Sequence, residues 1–538
     1  MGRRGIRGSR ARAWAGAALA TLACAGAELA PPAHPDAPLA SGVVFHDRDG
    51  DGARDRGEWG VRGVAVSNGR DVVRTDWRGR YRIPVPHDGA VFVVKPRGYA
   101  TPHDENGLPR FYHLHRPQGS PAGLGYPGVE PTGPLPEAID FPLTRVRESE
   151  EFRVLLFGDT QPYTLQELDF LARDVVEPLI GADVAFGMTL GDLVGDDLSL
   201  FEPLNAIVGR IGAPWHNVIG NHDMNLRAAS DAHANETFER VYGPATHAFQ
   251  VGRVHFVVLD DVIYEGWNGQ EQRPGRYEAG FRDDQIEFLR NYLAGVPRRD
   301  LVVLAMHIPL DGFREYAPQR RALFDALADH PHALSLSGHT HTQYHRFFSD
   351  EDGVPPGRTH HHLNQATAAG SWWLGALDEV GIPHATMRDG APNGYSILSF
   401  DGNRYSVEFR AARRPADYQM HVIAPASVRA EDAAQTEVIV NVFAGSERST
   451  VEMRLGADGA WRALERRERV DPLYVELVER ERGLETRDGH PLPTPEKSRH
   501  LWVGTLPPDP ARGTARLEVR TRDMFGHVYT ANRLIRIE

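Results

Sequence analysis

The chain has 538 residues, too long for one domain and enough for about three or four. Its content of 41% hydrophobic and 25% charged residues is that of a globular protein able to bury several cores. The formal charge is −13, and the first 27 residues hold five arginines and no acid, so the remainder is more acidic still. That balance excludes a nucleic-acid-coating surface but leaves room for a local basic pocket.

The N-terminus reads as a targeting segment over 1–27. Arg3, Arg4, Arg7, Arg10 and Arg12 precede the apolar run Ala13–Ala23, which is too short to cross a hydrocarbon core as a helix. Arg3-Arg4 is a weak hint of twin-arginine export. The sole cysteine, Cys24, ends this run, so the mature body holds no disulfide. Thr21-Leu22-Ala23-Cys24 resembles a bacterial lipobox, with Thr where Leu is usual; Ala25-Gly26-Ala27 offers an Ala-x-Ala cut instead. Two outcomes stay open: a secreted or periplasmic protein, or a lipoprotein held at the membrane through lipidated Cys24.

A proline-rich linker follows over 28–40, extended rather than folded. From 41 to 146, short runs such as Gly42–Phe45, Val64–Val66, Val72–Thr75 and Val91–Val94 are separated by turn residues, predicting an all-β sandwich. A Pro/Gly-rich stretch, 116–137, links or decorates its end. Within this domain Asp47, Asp49, Asp51, Asp55 and Glu58 fall at positions 1, 3, 5, 9 and 12 of a calcium-type loop, with glycine at position 6. Strand-like residues flank it, so it is no EF-hand. It resembles the B-type repeats of bacterial surface proteins, which implies bound calcium that rigidifies the sandwich; the alternative is a solvated acidic turn.

Over 147–413 apolar runs alternate with amphipathic helix-length segments, around 164–180 and 283–294 among them, predicting an α/β domain. Over 414–538 alternating strands return, for example Glu437–Val442 and Ala515–Arg520, predicting a second β-sandwich.

The middle domain carries the chemistry. Gly158-Asp159-Thr160-Gln161, Gly191-Asp192, Gly220-Asn221-His222-Asp223, His307 and Ser337-Gly338-His339-Thr340-His341 each close an apolar run with oxygen or imidazole side chains. In open α/β sheets ligands gather where strands end at their carboxyl edge. The glycines allow sharp turns and close backbone approach. Mixed carboxylate, amide and imidazole donors suit two divalent cations, Mn, Fe, Zn or Mg. Two such ions about 4 Å apart can activate water and clamp a phosphate ester.

This ordered set resembles the calcineurin-like metallophosphoesterase superfamily, and within it a bacterial exported branch with flanking N- and C-terminal β domains. The resemblance covers roughly 152–412. It implies a central four-layer αββα sandwich between two all-β sandwich domains. It implies one ion on Asp159, Gln161, Asp192 and His341, and a second on Asn221, His307 and His339, with Asp192 bridging and a bridging hydroxide as nucleophile. His222 would stabilise the transition state or protonate the leaving oxygen, oriented by Asp223. Where the commonest family pattern has His, this chain has Gln161, a harder, weaker donor that biases its ion toward Mn, Mg or Fe.

Trp372, Trp373, Asn393 and Tyr395 resemble features of the same branch and are candidate substrate contacts; packing under a loop, and a turn at Asp389–Tyr395, are the plainer readings. His360-His361-His362 is expected to be solvated or to support the site rather than hold a third ion. The implied function is exported hydrolysis of a small phosphate mono- or diester. The alternative from another class is a calcium-stabilised surface adhesion or glycan-binding protein whose middle domain only holds metal.

Overall fold

A computed structural model describes residues 37–483 and 491–538. The expected leader, Cys24 and the linker as far as residue 36 lie outside the described residues. No described helix is long and apolar enough to cross a membrane.

Two sheets stack face to face in the middle of the chain. The first runs Trp215–Asn217, Phe186–Thr189, Glu151–Phe157, Gly394–Asp401, Arg404–Ala411. Its first three strands are parallel, and the last two form an antiparallel hairpin that returns from the far end of the central domain. The second runs His247–Val251, Val254–Val258, Leu301–Ala305, Ala333–Ser337, His360–Asn364, Tyr344–Phe348, with four parallel strands between antiparallel edges.

The two-residue period of a strand decides what each face buries. Val154, Leu156, Phe256, Val258, Val303 and Ala305 point into one core between the sheets. Leu155 and Phe157 point outward and cluster with Leu168 and Phe201 of the helices Leu165–Leu171 and Phe201–Val208. On the other side Val302 and Leu304 pack with Phe288 and Phe324 of Asp283–Leu293 and Ala317–Ala326. The result is the four-layer αββα sandwich that the resemblance implied. The helix expected around 164–180 is irregular: after Leu171 it widens into a π-helical turn over Ala172–Val176 and then tightens into a 3-10 turn over Glu177–Leu179, where Pro178 removes a backbone donor.

The N-terminal domain pairs two four-stranded sheets, Arg80–Pro84, Leu39–His46, Phe141–Arg145, Tyr99–Ala100 and Val72–Arg74, Ala65–Ser67, Gly89–Val93, Tyr112–His115. It docks by its core: Phe92 meets Phe288 edge-on at 5.8 Å, and Gln250 N donates to Lys95 O at 2.9 Å. The Pro/Gly-rich stretch does more than link. Buried Arg116 pairs with Glu236 and Glu239, Pro127 O accepts from Thr237 Oγ1 at 3.0 Å, and Tyr126 Oη donates to Asp196 O at 3.2 Å. This segment therefore lies against the loops of the central site.

The C-terminal domain is also a two-sheet sandwich, Met420–Ile423, Glu437–Val442, Lys497–Thr505, Glu465–Val470 against Ser427–Val428, Val528–Ile537, Gly513–Arg522, Thr450–Leu455, Arg462–Ala463. Among the described residues it departs from all-β at the 3-10 turn Ala430–Gln435 and at the α-helix Pro472–Glu481. Asp471 Oδ1 accepts from Leu473 N at 2.8 Å and Tyr474 N at 3.0 Å, and Pro472 presets the first turn; this Asp-Pro start outweighs the strand texture around it.

Candidate metal centre

All the candidate ligands follow strands at their carboxyl ends. Asp159, Asp192 and Asn221 follow the three parallel strands of the first sheet; His307 and the pair His339 and His341 follow two of the second. They form two groups. In one, His341 Nε2 lies 3.3 Å from Asp159 Oδ2 and 2.9 Å from Gln161 Oε1. In the other, His307 Nε2 lies 3.2 Å from Asp192 Oδ2, 3.1 Å from Asn221 Oδ1 and 3.1 Å from His339 Nδ1. Backbone ties knit them together: His339 N donates to Asp159 Oδ1 at 2.9 Å, and Gln161 N to Asp192 O at 3.0 Å.

The backbone is bent to achieve this. Gln161, Asp192, His339 and His341 all have left-handed φ values, 35°, 48°, 77° and 52°, which side-chain-bearing residues seldom adopt. A Cβ on Gly191 would stand 2.4 Å from His307 Nδ1, and one on Gly338 would stand 2.4 Å from Asp159 Oδ1. Only glycine lets these turns pass so close to the ligands.

The donor set fits divalent cations. His307 Nε2 faces three acceptor or lone-pair atoms, and one proton cannot satisfy all three; a cation can. Two of the three imidazoles are also held in the right tautomer. His307 Nδ1 donates to Leu190 O at 2.8 Å and His341 Nδ1 to Gly370 O, which leaves both Nε2 lone pairs facing the centre. Burial opposes ionisation of Asp159 and Asp192, and the neighbouring histidines overcome it, holding both carboxyls below their ordinary range. Burial likewise opposes a charge on His307, yet the Asp192 and Asp159 carboxylates push it up to about 10. A cation arriving there displaces that proton.

His222 stands at the rim, half-buried, with its backbone N on Asp192 Oδ1 at 2.9 Å. Its expected partner is not its partner. Asp223 turns back beneath the loops, accepting from Gly220 N at 2.8 Å, Leu193 N at 3.1 Å and Val194 N at 3.2 Å. Three backbone donors hold it there, away from the imidazole. Asp196 takes the role instead, its Oδ1 2.7 Å from His222 Nδ1. The repeat of Gly-Asp at Gly195-Asp196, four residues after Gly191-Asp192, was the available sequence signal. Burial would lower the His222 pKa, but Asp192 and Asp196 raise it to about 9.

The candidate substrate contacts separate. Trp372 stacks on His341, ring centroids 3.8 Å apart and 19° between planes. Trp373 is core, its Nε1 donating to Thr160 O at 3.0 Å. Asn393 and Tyr395 are not at the centre. Buried Asn393 donates to Asp174 Oδ2 at 2.7 Å and Ala368 O at 2.9 Å; Tyr395 lies on the outer face of the first sheet, 6.0 Å from Phe157. The turn at Asp389–Asn393 runs straight into the strand Gly394–Asp401, and strand alternation sends Tyr395 outward. Two aromatics that sequence reading passed over do stand at the centre. Tyr163 lies 6.2 Å from His222, ring to ring, and Tyr277 lies 6.1 Å from His339.

The histidine run is buried rather than solvated. His360 Nε2 and His362 Nδ1 both meet Ser335 Oγ, at 2.8 and 2.7 Å, and His362 Nε2 meets Ser337 Oγ at 2.9 Å. His361 takes the opposite face, between His345 at 2.9 Å and Tyr405 at 2.7 Å. Ser337 passes the chain to Asn364, which donates to Thr340 Oγ1 at 2.7 Å, so the run supports the loop of His339 and His341 from below.

Far from the centre, ligand oxygens of Asp47, Asp49 and Glu58 lie within 4.8 Å of one another, as do those of Asp49, Asp51 and Asp55. Asp47 and Glu58 are buried, and accept backbone N–H groups of Gly50, Gly52, Arg48 and Asp55.

The family matches agree with this geometry. The calcineurin-like phosphoesterase family matches residues 152–343, its N-terminal companion domain matches 49–125, and its C-terminal companion domain matches 362–529. This chain belongs to the calcineurin-like phosphoesterase family. Among solved structures it is similar to the purple acid phosphatase PPD1 isolated from yellow lupin (Lupinus luteus) seeds, with 13% identity, 66% of this chain and 69% of that chain covered, and a TM-score of 0.32. No curated protein matches it.

Proposed function

We propose that this chain is an exported metal-dependent phosphoesterase that hydrolyses phosphate mono- or diesters. One observation carries the reading: a half-buried imidazole, backed by Asp196, stands beside two converging sets of metal-type donors. A merely metal-holding scaffold has no use for that pair. Asp159, Gln161 and His341 would hold one divalent ion, and Asn221, His307 and His339 the other, with Asp192 between them. Ions held there supply an activated water and neutralise phosphate charge. The protein's own contribution is positional and acidic. Hydrolysis breaks the bond from phosphorus to the leaving oxygen, which must gain a proton as it departs. Asp196 engages His222 Nδ1, which leaves Nε2 to deliver that proton.

Turnover of p-nitrophenyl phosphate and bis-p-nitrophenyl phosphate after loading with Mn or Fe tests this reading. Hydrolysis of at least one supports it; none of either, in protein holding two ions, removes it. Glycan binding in calcium without turnover would favour the adhesion reading. Export, including attachment through Cys24, is part of the proposal and is checked by fractionating cells that express the full chain. The N-terminal acidic loop is proposed to bind calcium; calcium should raise the melting temperature of wild type and not of Asp47→Asn.

A further inference from the structure

The ions and His222 grip a phosphate and its leaving oxygen but say nothing of the group attached to that oxygen. Three aromatic rings stand against residues of the centre, Tyr163 on His222, Tyr277 on His339 and Trp372 on His341. Tyr163 and Tyr277 are each 39% exposed, a large share for side chains anchored against a buried centre. Tyr163 stands on the His222 side, ring planes at 74°, and its Oη accepts from Gln161 Nε2 at 3.2 Å. Its seat is built: a Cβ on Gly195 would come within 2.5 Å of the ring, so the tyrosine lies directly on bare backbone. Tyr277, on the short strand Tyr277–Ala279, stands edge-on to His339 at 82°. Trp372, partly exposed, covers the face of His341. It and Trp373 hold left-handed φ values of 54° and 55°, and the Trp373 indole is pinned beneath.

We infer that Tyr163, with Tyr277 and Trp372 as side walls, is a stacking seat for a planar aromatic leaving group, so that the site selects aryl-bearing phosphate esters over flexible alkyl ones. This rests on the phosphoesterase reading above. If His222 protonates the leaving oxygen, the group beyond that oxygen lies on the His222 side, against the open face of Tyr163. A ring there stacks on a surface already fixed in place, whereas an alkyl chain must give up rotamers and gains no stacking.

The test matches the chemistry of the leaving oxygen. In Mn-loaded wild type, kcat/KM for 2-phenylethyl phosphate should exceed that for n-butyl phosphate about tenfold, mostly through KM. Tyr163→Phe should keep that preference, and Tyr163→Leu should reduce it to within about twofold while retaining its two metal ions. Calorimetry with phenylphosphonate and butylphosphonate, which cannot turn over, should show the same order of affinity. Equal kcat/KM for both esters in wild type, or full preference in Tyr163→Leu, overturns the seat and leaves the phosphoesterase reading standing. Preferential binding of phenylphosphonate with no ester hydrolysed supports the seat and removes that reading.

Discussion

Asp196 and Asp223 are separated by what their carboxylates touch. Asp196 meets an imidazole nitrogen, and Asp223 meets only backbone N–H groups. Their losses should therefore differ in kind. Asp196→Asn keeps both ions and lowers turnover of esters with poor leaving groups by about tenfold or more, approaching the loss of about 100-fold or more expected of His222→Ala. Asp223→Ala unties the turns carrying Asp192 and Asn221, so metal content falls first and turnover with it. Metal analysis beside kinetics checks both, and an Asp223→Ala protein with two ions and slow chemistry would return Asp223 to the mechanism. Gln161 is tunable: His in its place, in the left-handed backbone it already has, should tighten the ion shared with Asp159 and His341 about tenfold toward Zn. Equal Zn affinity in competition titrations would remove Gln161 as a ligand.

Strands and their turns made most of the site legible in sequence, because each ligand ends an apolar run and glycine marks where backbone must approach it. Gly191 shows how tight the fit is: its φ is 90° and a Cβ would strike the His307 ring. Gly191→Ala should cost about 1–3 kcal/mol of local fit and about tenfold or more in retention of the ion at His307. Dialysis against a graded chelator measures this, and wild-type retention would contradict it. What stayed illegible depended on contacts distant in the chain. Tyr277 reaches His339 only through a side hairpin, Tyr395 faces outward because of the strand that begins at Gly394, and Asp196 was hidden behind the commoner expectation for Asp223. Between the sheets, His216 lies flat on Phe249, ring centroids 3.7 Å apart and 7° between planes. Burial, then the nearby His247, holds its pKa well below 6.5. The folded state thus binds fewer protons there than the unfolded chain. The contribution of His216 is intact above the unfolded pKa of about 6.5 and is lost as pH falls below it. Relative to His216→Phe, wild type should lose roughly 1 kcal/mol between pH 7 and pH 5.5. Urea midpoints of the two proteins at both pH values check this; a constant difference would contradict it.

The whole molecule is organised so that both flanking domains brace the centre. From the N-terminal side Tyr126 touches the backbone of Asp196. From the C-terminal side buried His500 bonds Asn441 Oδ1 at 2.7 Å and Asp389 Oδ2 at 3.0 Å, and Asp389 accepts from Gln343 N, two residues past His341. His500→Ala removes one donor from a buried carboxylate that keeps Gln343 N and Ala391 N, and should cost about 2 kcal/mol. It should lower the melting temperature by several degrees and weaken the ion at His341 together with it. Unchanged melting and unchanged metal retention would mean the C-terminal domain is only an appendage. The companion-domain matches give the sandwiches their place in the family; their part in holding the ligands is read from these contacts.

The account stands most directly on metal stoichiometry. Elemental analysis of the full chain, wild type beside Asp192→Ala, should find two transition-metal ions per wild-type chain and both lost from the variant. A wild type that takes up none, or a variant that keeps two, would contradict the dinuclear centre.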